Sequence, residues 1–313
     1  MEIAKQSQPR YDVRDALKAG MTMLREADVS SFTLAAELLL LHTLGRDRTW
    51  LYTHPEEIIA GADAQHFFDL IARRAAGEPT QHLTGKQEFW GLEFEVNPDV
   101  LIPRPETEHL IEVTLDRLAL REVRSGRTQV TDGAGMLIAD VGTGSGCIAI
   151  ALAEELSQAR FFAGDISPAA LAVARSNAER HGVSERIHFS LSNLLEATRA
   201  LDGPSQRFDA IVSNPPYVGK REAASLAREV RDHEPASALF GGEEGYELYG
   251  ALIVQAAERL KPGGLLVLEL GYNSLAAVQP LLNAPAWSYV SVTNDLAGIP
   301  RIIAAERTGQ NTP

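Results

Sequence analysis

The chain has 313 residues, of which 45% are hydrophobic and 23% charged, a composition typical of a folded protein of about two domains. Its 29 Lys and Arg against 42 Asp and Glu give a formal charge of −13, which disfavours a surface that binds nucleic acid by general phosphate neutralisation. The single cysteine, Cys147, excludes an internal disulfide, and no Cys and His cluster has zinc spacing, so we expect a metal-free protein.

The N-terminal segment lacks the apolar core of a signal peptide, and no apolar run approaches the length of a membrane span. No internal repeat suggests a solenoid or a propeller. We therefore expect a compact cytoplasmic protein that does not associate with a membrane.

Residues 1–86 are predicted to form a helical bundle. Apolar residues recur there at helical spacing, as in Val13, Leu17, Met21 and Leu24, in Leu34, Leu38 and Leu41, and in Phe67, Phe68 and Ile71. Ser30 and Ser31 are candidate caps for the second helix, and Gly45 is its candidate stop.

Residues 87–105 are predicted to form a β-hairpin linker. Phe89, Trp90, Leu92 and Phe94 alternate with polar residues around Gly91, which is typical of two short strands and a turn. We expect the aromatic residues to form the core of this hairpin rather than to contact a substrate.

Residues 106–313 have the alternating pattern of an α/β domain. The predicted strands are Met136 to Val141, Phe161 to Asp165, Ile187 to Leu191, Phe208 to Ser213, Gly264 to Leu270, Tyr289 to Thr293 and Arg301 to Ala305. The first five are separated by stretches long enough for crossovers, which predicts a parallel sheet. The last two lie too close for a crossover helix and should pair as an antiparallel hairpin.

The segment Asp140-Val-Gly-Thr-Gly-Ser-Gly146 stands directly after a predicted strand and before a predicted helix. Gly142, Gly144 and Gly146 let the backbone turn sharply and approach a ligand without Cβ atoms in the way. Asp165, at the end of the next strand, is placed to accept hydrogen bonds from ribose hydroxyls. Together they predict an adenosine-type cofactor site, although a glycine turn can also serve close packing alone.

The glycine spacing favours S-adenosylmethionine among adenosine cofactors. A pyrophosphate site follows G-x-G-x-x-G, whereas here the third glycine comes one residue early and Cys147 stands in the motif's glycine position. The lysine of a P-loop is also missing. NAD, FAD and ATP are therefore less favoured than a sulfonium cofactor without phosphate.

The segment Ser213-Asn-Pro-Pro-Tyr217 ends the fourth predicted strand and predicts a site for a planar amino group. Such a nitrogen is a poor nucleophile because its lone pair is delocalised. The Asn214 side-chain oxygen and the Pro215 carbonyl can each accept one N–H, which aligns the nitrogen for in-line attack on a methyl group. The prolines fix the direction of these carbonyls, and Tyr217 offers a ring face. Alone, the segment also fits a strand-ending turn.

With these motifs the chain resembles the release factor glutamine methyltransferases, which modify the Gly-Gly-Gln tip of bacterial class I peptide chain release factors. The resemblance covers nearly the whole chain. It rests on Leu101-Ile-Pro-Arg-Pro-Glu-Thr-Glu108, Asp140 to Gly146, Gly164-Asp165, Asn214-Pro-Pro-Tyr217, Glu234-Pro235 with Ala238-Leu239, Gly241-Gly242, and Glu269-Leu-Gly271. It implies a seven-stranded class I S-adenosylmethionine-dependent methyltransferase domain of Rossmann-like α/β fold over residues 106–313, and a substrate-docking helical domain over residues 1–86.

The resemblance also implies roles for individual residues. Those predicted to bind the cofactor are Gly142, Thr143, Gly144, Ser145, Gly146, Asp165, Asn193, Leu194 and Asn214, with Asp165 on the ribose and Asn193 and Leu194 on the adenine edge. Those predicted to bind the substrate are Asn214, Pro215, Pro216, Tyr217, Arg104 and Glu106, and the catalytic ones are Asn214, Pro215 and Tyr217. For Arg104 and Glu106 a solvated helix start is the alternative.

Two positions depart from the family pattern. Asn193 stands where the family usually has Asp, which weakens the adenine contact by roughly 1 kcal/mol because a charge-assisted hydrogen bond is lost. Pro300 precedes Arg301 where the family usually has an acidic residue. Neither position touches the predicted chemistry.

Three alternative functions remain open. Relatives that methylate a ribosomal-protein glutamine usually carry a Pro-Arg-Ser-Pro variant, so Pro105-Glu-Thr-Glu108 favours the release factor branch. An adenine N6 methyltransferase would use the same Asn-Pro-Pro-Tyr chemistry on a flipped base, but the charge of −13 and the lack of a basic recognition domain argue against it. A cofactor-binding scaffold without catalysis is the third.

We expect direct in-line methyl transfer with no covalent enzyme intermediate and no strong base. The helical domain should dock the protein substrate, because a glutamine on an exposed tip offers little surface for specificity. The segment Gly241 to Gly245 is predicted to be a mobile loop near the site, and the eight histidines are assigned no role. The chain is expected to act as a monomer, without direct nucleic acid binding.

Overall fold

The computed structural model describes residues 10–124, 132–200 and 207–309, and at 199 and 200 it describes the backbone only. Contacts divide the chain into two compact units. One comprises the residues up to Gly85 together with Ala227–His233, and the other comprises Lys86–Leu226 and the residues from Glu234 onward. In the part of the chain that is described, no helix has the length and apolar character needed to cross a membrane.

The first unit is helical, as the spacing of its apolar residues predicts. Its helices up to Gly85 are α1 (Val13–Glu26), α2 (Phe32–Leu44), α3 (Arg48–Thr53), α4 (Gly61–Ala75) and α5 (Thr80–Thr84). Gly45 ends α2 in the left-handed conformation, with φ of 61°, as predicted. The prediction of a serine cap for α2 is wrong. Ser31 precedes the helix, but its ψ of 46° departs from the extended conformation that capping requires, and its side chain makes no capping hydrogen bond.

The core of the first unit forms where α1, α2 and α4 meet. Fully buried side chains there include Leu24, Leu39, Leu40, Phe67 and Ile71. Gly20 permits the close approach of α1 to α4, since a Cβ atom at this position would collide with the Phe67 ring. The buried Arg74 pairs with Glu229, which ties the segment Ala227–His233 to α4.

The second unit combines a hairpin with an α/β sheet. In chain order the elements after α5 are β1 (Lys86–Phe89), β2 (Leu92–Glu95), a 3₁₀ turn (Pro105–Thr107), α6 (Glu108–Arg124), β3 (Leu137–Val141), α7 (Cys147–Glu155), β4 (Arg160–Asp165), α8 (Pro168–Arg180), β5 (Ile187–Leu191), β6 (Phe208–Ser213), β7 (Val218–Gly219), α9 (Arg228–His233, in the first unit), α10 (Ala236–Leu239), β8 (Phe240–Gly242), α11 (Glu247–Arg259), β9 (Leu260–Glu269), α12 (Leu275–Val278), β10 (Trp287–Asn294) and β11 (Pro300–Arg307).

The hairpin β1–β2 is antiparallel and turns through Trp90 and Gly91, whose φ values of 56° and 71° suit a tight two-residue turn. Phe89 and Phe94 are buried, which confirms the prediction that they are core residues. The Trp90 backbone N–H donates to Glu108 at 2.8 Å, so the first residue of α6 holds the turn.

The main sheet has the strand order β10-β11-β9-β6-β3-β4-β5 within the described residues. Strands β3, β4, β5, β6 and β9 pair in parallel, and β10 and β11 form an antiparallel hairpin beside β9, as predicted. Neighbouring residues such as Ile138 and Ala139 belong to separate hydrophobic clusters, because successive strand residues face opposite sides. The sheet is therefore covered on both faces.

Some of the elements after β6 differ from those predicted from the sequence. The short parallel pair β7 and β8 and the helix α10 were not predicted. The strand β9 also begins at Leu260, earlier than the predicted start at Gly264. The prediction of a loop over 241–245 is wrong for its first residues, since Gly241 and Gly242 belong to β8.

A buried amide on α8 joins the hairpin to the glycine segment. Asn177 is fully buried, its Oδ1 accepts the Glu95 N–H at 2.8 Å, and its Nδ2 donates to the carbonyls of Glu95 and Ser145, each at 3.0 Å. The side chain thus satisfies three backbone groups at once.

We predict that Asn177→Leu lowers the free energy of unfolding by about 2 to 4 kcal/mol, because it buries unpaired backbone groups. Urea unfolding followed by circular dichroism measures the change. Asn283→Leu, at an exposed position, is the matched control and should change the free energy by less than about 0.5 kcal/mol. Equal effects of the two substitutions would contradict this role for Asn177.

Candidate active site

A cleft lies at the carboxyl ends of β3, β4 and β6, where the strand order reverses between β3 and β6. Ligands bind at such reversal points in open α/β sheets, because the loops that follow the two strands diverge there. The cleft holds about 850 Å³ of empty space, counting the part open to solvent. Its lining residues are Asp99, Val100, Leu101, Val141, Gly142, Gly144, Asp165, Ile166, Ser167, Ala170, Ser192, Asn193, Leu194, Ser213, Asn214, Pro215, Pro216, Pro235, Ser237, Ala238 and Leu248.

The glycine segment after β3 has the conformation that its composition predicts. Gly142, Gly144 and Gly146 have φ values of 73°, 55° and 84°. Gly142 and Gly144 line the cleft, and a Cβ atom on either would meet no neighbour, so their backbones are open to a ligand. Gly146 instead lies close to Ala174 of α8 and serves helix packing.

Thr143 and Ser145, which alternate with these glycines, are buried and do not line the cleft. The Thr143 hydroxyl donates to Asp140 at 2.6 Å, and the Ser145 carbonyl accepts from Asn177. Cys147 begins α7, is 8% exposed, and burial raises the pKa of its thiol to about 12. Thr143 and Ser145 are therefore bound by other parts of the protein.

Asp165 ends β4 and lines the cleft. Its Oδ2 accepts the Gly144 N–H and its Oδ1 accepts the Ser167 N–H, both at 2.9 Å. Two backbone donors therefore fix the carboxylate, and each oxygen keeps a lone pair for another donor. The structure brings Asp165 and the glycine segment together, as the sequence predicts.

Asp140 is fully buried at the end of β3, and burial raises its pKa to about 7. Its Oδ2 accepts hydrogen bonds from the Thr143 hydroxyl and the Ala149 N–H. Its Oδ1 has no hydrogen-bond donor among the residues described. A buried acceptor without a donor beside an open glycine segment has the character of a ligand site.

Asn193 and Leu194 follow β5 and line the same cleft. Leu194 has a φ of 50°, a left-handed conformation that is uncommon for a leucine. Asn193 is exposed and contacts Glu196 at 3.4 Å. The two residues that the family resemblance assigns to the adenine edge thus lie beside Asp165.

Asn214, Pro215 and Pro216 follow β6 and line the same cleft as the glycine segment. Asn214 Nδ2 donates to the Thr107 hydroxyl at 3.1 Å. One N–H of this amide is used by Thr107, and no described residue donates to its oxygen, so the oxygen is available to a ligand. The arrangement supplies a hydrogen-bond acceptor at the wall of the cleft.

Tyr217 does not line the cleft but packs behind it. Its hydroxyl donates to Glu269 at 3.4 Å. Burial and the neighbouring Glu269 carboxylate raise the pKa of Tyr217 above its ordinary value, so the hydroxyl stays protonated near neutral pH. Tyr217 is therefore unsuited to act as a base.

The structure places neither Arg104 nor Glu106 in the cleft lining, as far as the chain is described. Arg104 pairs with the buried Glu234 at 2.5 Å, and Glu234 also accepts the Ile102 N–H at 3.3 Å. Glu106 is exposed in the turn before α6. The exposure of Glu106 at this position matches the alternative of a solvated helix start. A substrate contact of Arg104 or Glu106 remains a prediction.

The segment 241–245 packs against the backbone after Asn214. A Cβ atom on Gly241 would overlap the Pro216 carbonyl, and one on Gly245 would overlap the Tyr217 carbonyl. The Glu247 carboxylate accepts the N–H groups of Glu244 and Gly245 at 2.9 and 2.8 Å. The glycines let this segment support the Pro-Pro-Tyr backbone directly.

Sequence reasoning assigned no role to Thr107 and Glu269, which adjoin the site. Both are buried, and the Thr107 hydroxyl donates to Glu269 Oε2 at 2.7 Å. The available signal was an acidic residue at the end of a strongly apolar strand, since such a carboxylate is rarely buried without a partner.

Comparisons with known proteins agree with this architecture. A family profile described as "PrmC N-terminal domain" matches residues 15–85, and one described as "Methyltransferase domain" matches residues 132–284. The catalytic domain of hMettl16 in complex with MAT2A 3′UTR hairpin 1 has a TM-score of 0.54 at 21% identity, over 78% of this chain and 82% of that one. That likeness describes the fold alone.

Two curated relatives are similar over nearly their whole length, and both are named release factor glutamine methyltransferase. The protein of Koribacter versatilis (strain Ellin345) is 44% identical over 94% of this chain and 98% of its own. The protein of Nitratidesulfovibrio vulgaris (strain Hildenborough) is 41% identical over 93% of this chain and 94% of its own.

The doubly wound sheet, the glycine segment after β3 and the Asn-Pro-Pro-Tyr segment after β6 define a methyltransferase of the Rossmann-like class. Within that class, the similarity over both units is decisive. The chain belongs to the release factor glutamine methyltransferase family.

The raised pKa of Asp140 predicts a pH-dependent stability. Its folded pKa of about 7 lies above the ordinary value, so its contribution is fully present below about pH 4 and is lost as the pH rises through about 7. The free energy of unfolding of the wild type, relative to Asp140→Asn, should therefore decrease across this interval. Urea unfolding of both proteins at a series of pH values measures it, and a constant difference would contradict the assignment.

The close contacts of Gly241 predict that Gly241→Ala destabilises the protein by about 1 to 3 kcal/mol, because a Cβ atom forces the backbone of Pro216 or Gly245 to move. Gly250 in α11 is the matched control, since a Cβ atom there meets no neighbour. Gly250→Ala should stabilise the protein by up to about 1 kcal/mol. Thermal unfolding compares the two, and a neutral Gly241→Ala would rule out the supporting role.

Proposed function

We propose that this protein transfers a methyl group from S-adenosylmethionine to the side-chain N5 of the glutamine in the Gly-Gly-Gln motif of class I peptide chain release factors. The observation that carries the proposal is the placement of Asn214. Asn214 lines the same cleft as the open glycine segment, and its Nδ2 donates a hydrogen bond to Thr107. Membership of the family supports the same reaction.

The residues of the cleft fit S-adenosylmethionine. Asp165, held by two backbone N–H groups, has lone pairs available for the ribose hydroxyls. Asn193 and Leu194 line the same cleft as Asp165, which supports a role for them at the adenine edge. Asp140 Oδ1 lacks a donor among the described residues, and a cationic ligand near it would stabilise its ionised form. When bound, the cofactor supplies an electrophilic methyl group on a sulfonium.

The substrate amide would be oriented by two acceptors. The Asn214 Oδ1 and the Pro215 carbonyl each accept one N–H of the planar glutamine NH2, which leaves a face of the nitrogen free for the methyl group. Positive charge develops on the nitrogen as the new bond forms, and its N–H groups become stronger donors. Both hydrogen bonds therefore strengthen in the transition state and lower the barrier.

A general base is not required by this scheme. Tyr217 keeps its proton because its pKa is raised, and the Glu269 carboxylate accepts from Thr107 and Tyr217 rather than facing the substrate. The proton of the methylated nitrogen passes to water after transfer. Catalysis then depends on position and on the two acceptors.

We infer that residues 1–86 dock the protein substrate. A glutamine at the tip of a loop offers too little surface for a specific complex, so further contact area is needed. Leu34 and Leu38 on α2 are 48% and 39% exposed, which makes an apolar surface available on the first unit.

Mass spectrometry of a release factor after incubation with the protein and S-adenosylmethionine tests the proposal. The wild type should add one methyl group to the Gly-Gly-Gln glutamine, and Asn214→Ala should lower the rate by about 100-fold or more, because an acceptor that acts in the transition state is lost. Asn283→Ala, at an exposed asparagine, is the control and should keep the wild-type rate.

A near wild-type rate for Asn214→Ala would remove the proposed role of its amide. Labelled methyl transfer to DNA or RNA, or to a ribosomal protein, with none to a release factor would overturn the substrate assignment. Binding of S-adenosylmethionine without transfer to any of these would indicate a scaffold instead.

A further inference from the structure

A continuous hydrogen-bonded chain leads from the end of β9 to the cleft. The Thr107 hydroxyl donates to Glu269 Oε2 at 2.7 Å, and Thr107 Oγ1 accepts from Asn214 Nδ2 at 3.1 Å. Thr107 is 2% exposed and Glu269 is 1% exposed, so water does not compete for these contacts. Asn214 forms the end of the chain that reaches the cleft.

The direction of each hydrogen bond follows from the groups involved. In its ionised form, which the hydrogen bond from Thr107 and the nearby Arg301 favour, the Glu269 carboxylate only accepts, so the single hydroxyl proton of Thr107 goes to Glu269. The Thr107 oxygen then has only lone pairs to offer to Asn214. If the Asn214 amide were reversed, its oxygen would face those lone pairs, and a buried hydrogen bond would be replaced by a repulsive contact.

The backbones of Glu269 and Thr107 are held in place by other contacts. The Glu269 carbonyl accepts the Tyr249 hydroxyl at 2.7 Å, and Glu269 pairs with Ile302 in the register of β9 and β11. The Thr107 N–H donates to the Arg104 carbonyl at 3.0 Å in the turn before α6. These contacts fix the two backbones from which the Thr107 and Glu269 side chains extend.

We propose that Thr107 and Glu269 are positioning residues that determine which atom of the Asn214 amide faces the cleft. They hold Oδ1 toward the substrate, so the site offers an acceptor to an NH2 group and disfavours a carboxylate at the same place. This inference rests on the proposed function for its catalytic consequence, but the orientation of the amide is a property of the protein alone.

Kinetics of three variants test the consequence. Thr107→Val should lower kcat about ten- to hundredfold with little change in the affinity for S-adenosylmethionine, because the amide is free to reverse. Thr107→Ser keeps the hydroxyl and should stay within about threefold of the wild type. Thr114→Val is the matched control, since Thr114 is equally buried on α6 but bonds only the Leu110 carbonyl in the described structure.

A double-mutant cycle distinguishes positioning from a general loss of structure. If Thr107 acts through Asn214, Thr107→Val should change kcat by less than about twofold in the Asn214→Ala background. Additive losses would overturn the proposal, as would a wild-type kcat for Thr107→Val.

An NMR measurement tests the orientation without any reaction. The side-chain NH2 resonances that disappear in Asn214→Ala identify this group. Their exchange with solvent should become at least about tenfold faster in Thr107→Val and stay unchanged in Thr107→Ser and Thr114→Val. Unchanged exchange in Thr107→Val would overturn the proposal. A wild type that does not methylate release factor would refute the proposed function and leave the NMR result to decide the orientation.

Discussion

The site depends on hydrogen bonds accepted by carboxylates at the carboxyl ends of the sheet strands. Asp165 at the end of β4 accepts the Gly144 N–H, and Glu269 at the end of β9 accepts the Thr107 hydroxyl. Asp140 near the end of β3 holds the inner side of the glycine segment. The sheet fixes each carboxylate through its backbone; Asp165 and Glu269 then each bind a segment from another part of the chain, and Asp140 binds the residues that directly follow it. The cleft acquires its shape from this edge rather than from the loops alone.

Hydrogen-bond donors around Asp140 and Glu269 reduce the cost of burying these two carboxylates. Burial raises the pKa values of both Asp140 and Glu269 to about 7, while hydrogen bonds from Thr143 to the first and from Thr107 to the second work in the opposite direction. Arg301 also lowers the pKa of Glu269 electrostatically. The departure at Pro300 leaves this arginine in place, since Arg301 pairs with Asp295 at 3.1 Å. In both cases the hydrogen-bond donors favour the ionised carboxylate and oppose the cost of its burial.

Local patterns predicted the parts of the fold whose causes are local. The apolar runs predicted the parallel strands and the antiparallel hairpin at the edge of the sheet. Gly142 and Gly144 predicted a turn with positive φ values. The contact between Thr107 and Glu269 joins residues far apart in the sequence, and no spacing rule connects them. The pair β7 and β8 is too short for a periodic signal. The cap at Ser31 failed because the backbone entering α2 has the wrong ψ, which composition does not reveal.

The burial of Cys147 affects how the protein can be handled and studied. With its thiol pKa raised to about 12, almost none of it is thiolate at neutral pH, and it is the sole cysteine of the chain. Thiol-directed alkylating reagents should therefore leave Cys147 unmodified in the native protein. A cysteine introduced on the surface would be the one reactive thiol, so a maleimide dye could be attached at a chosen position with the native sequence otherwise intact.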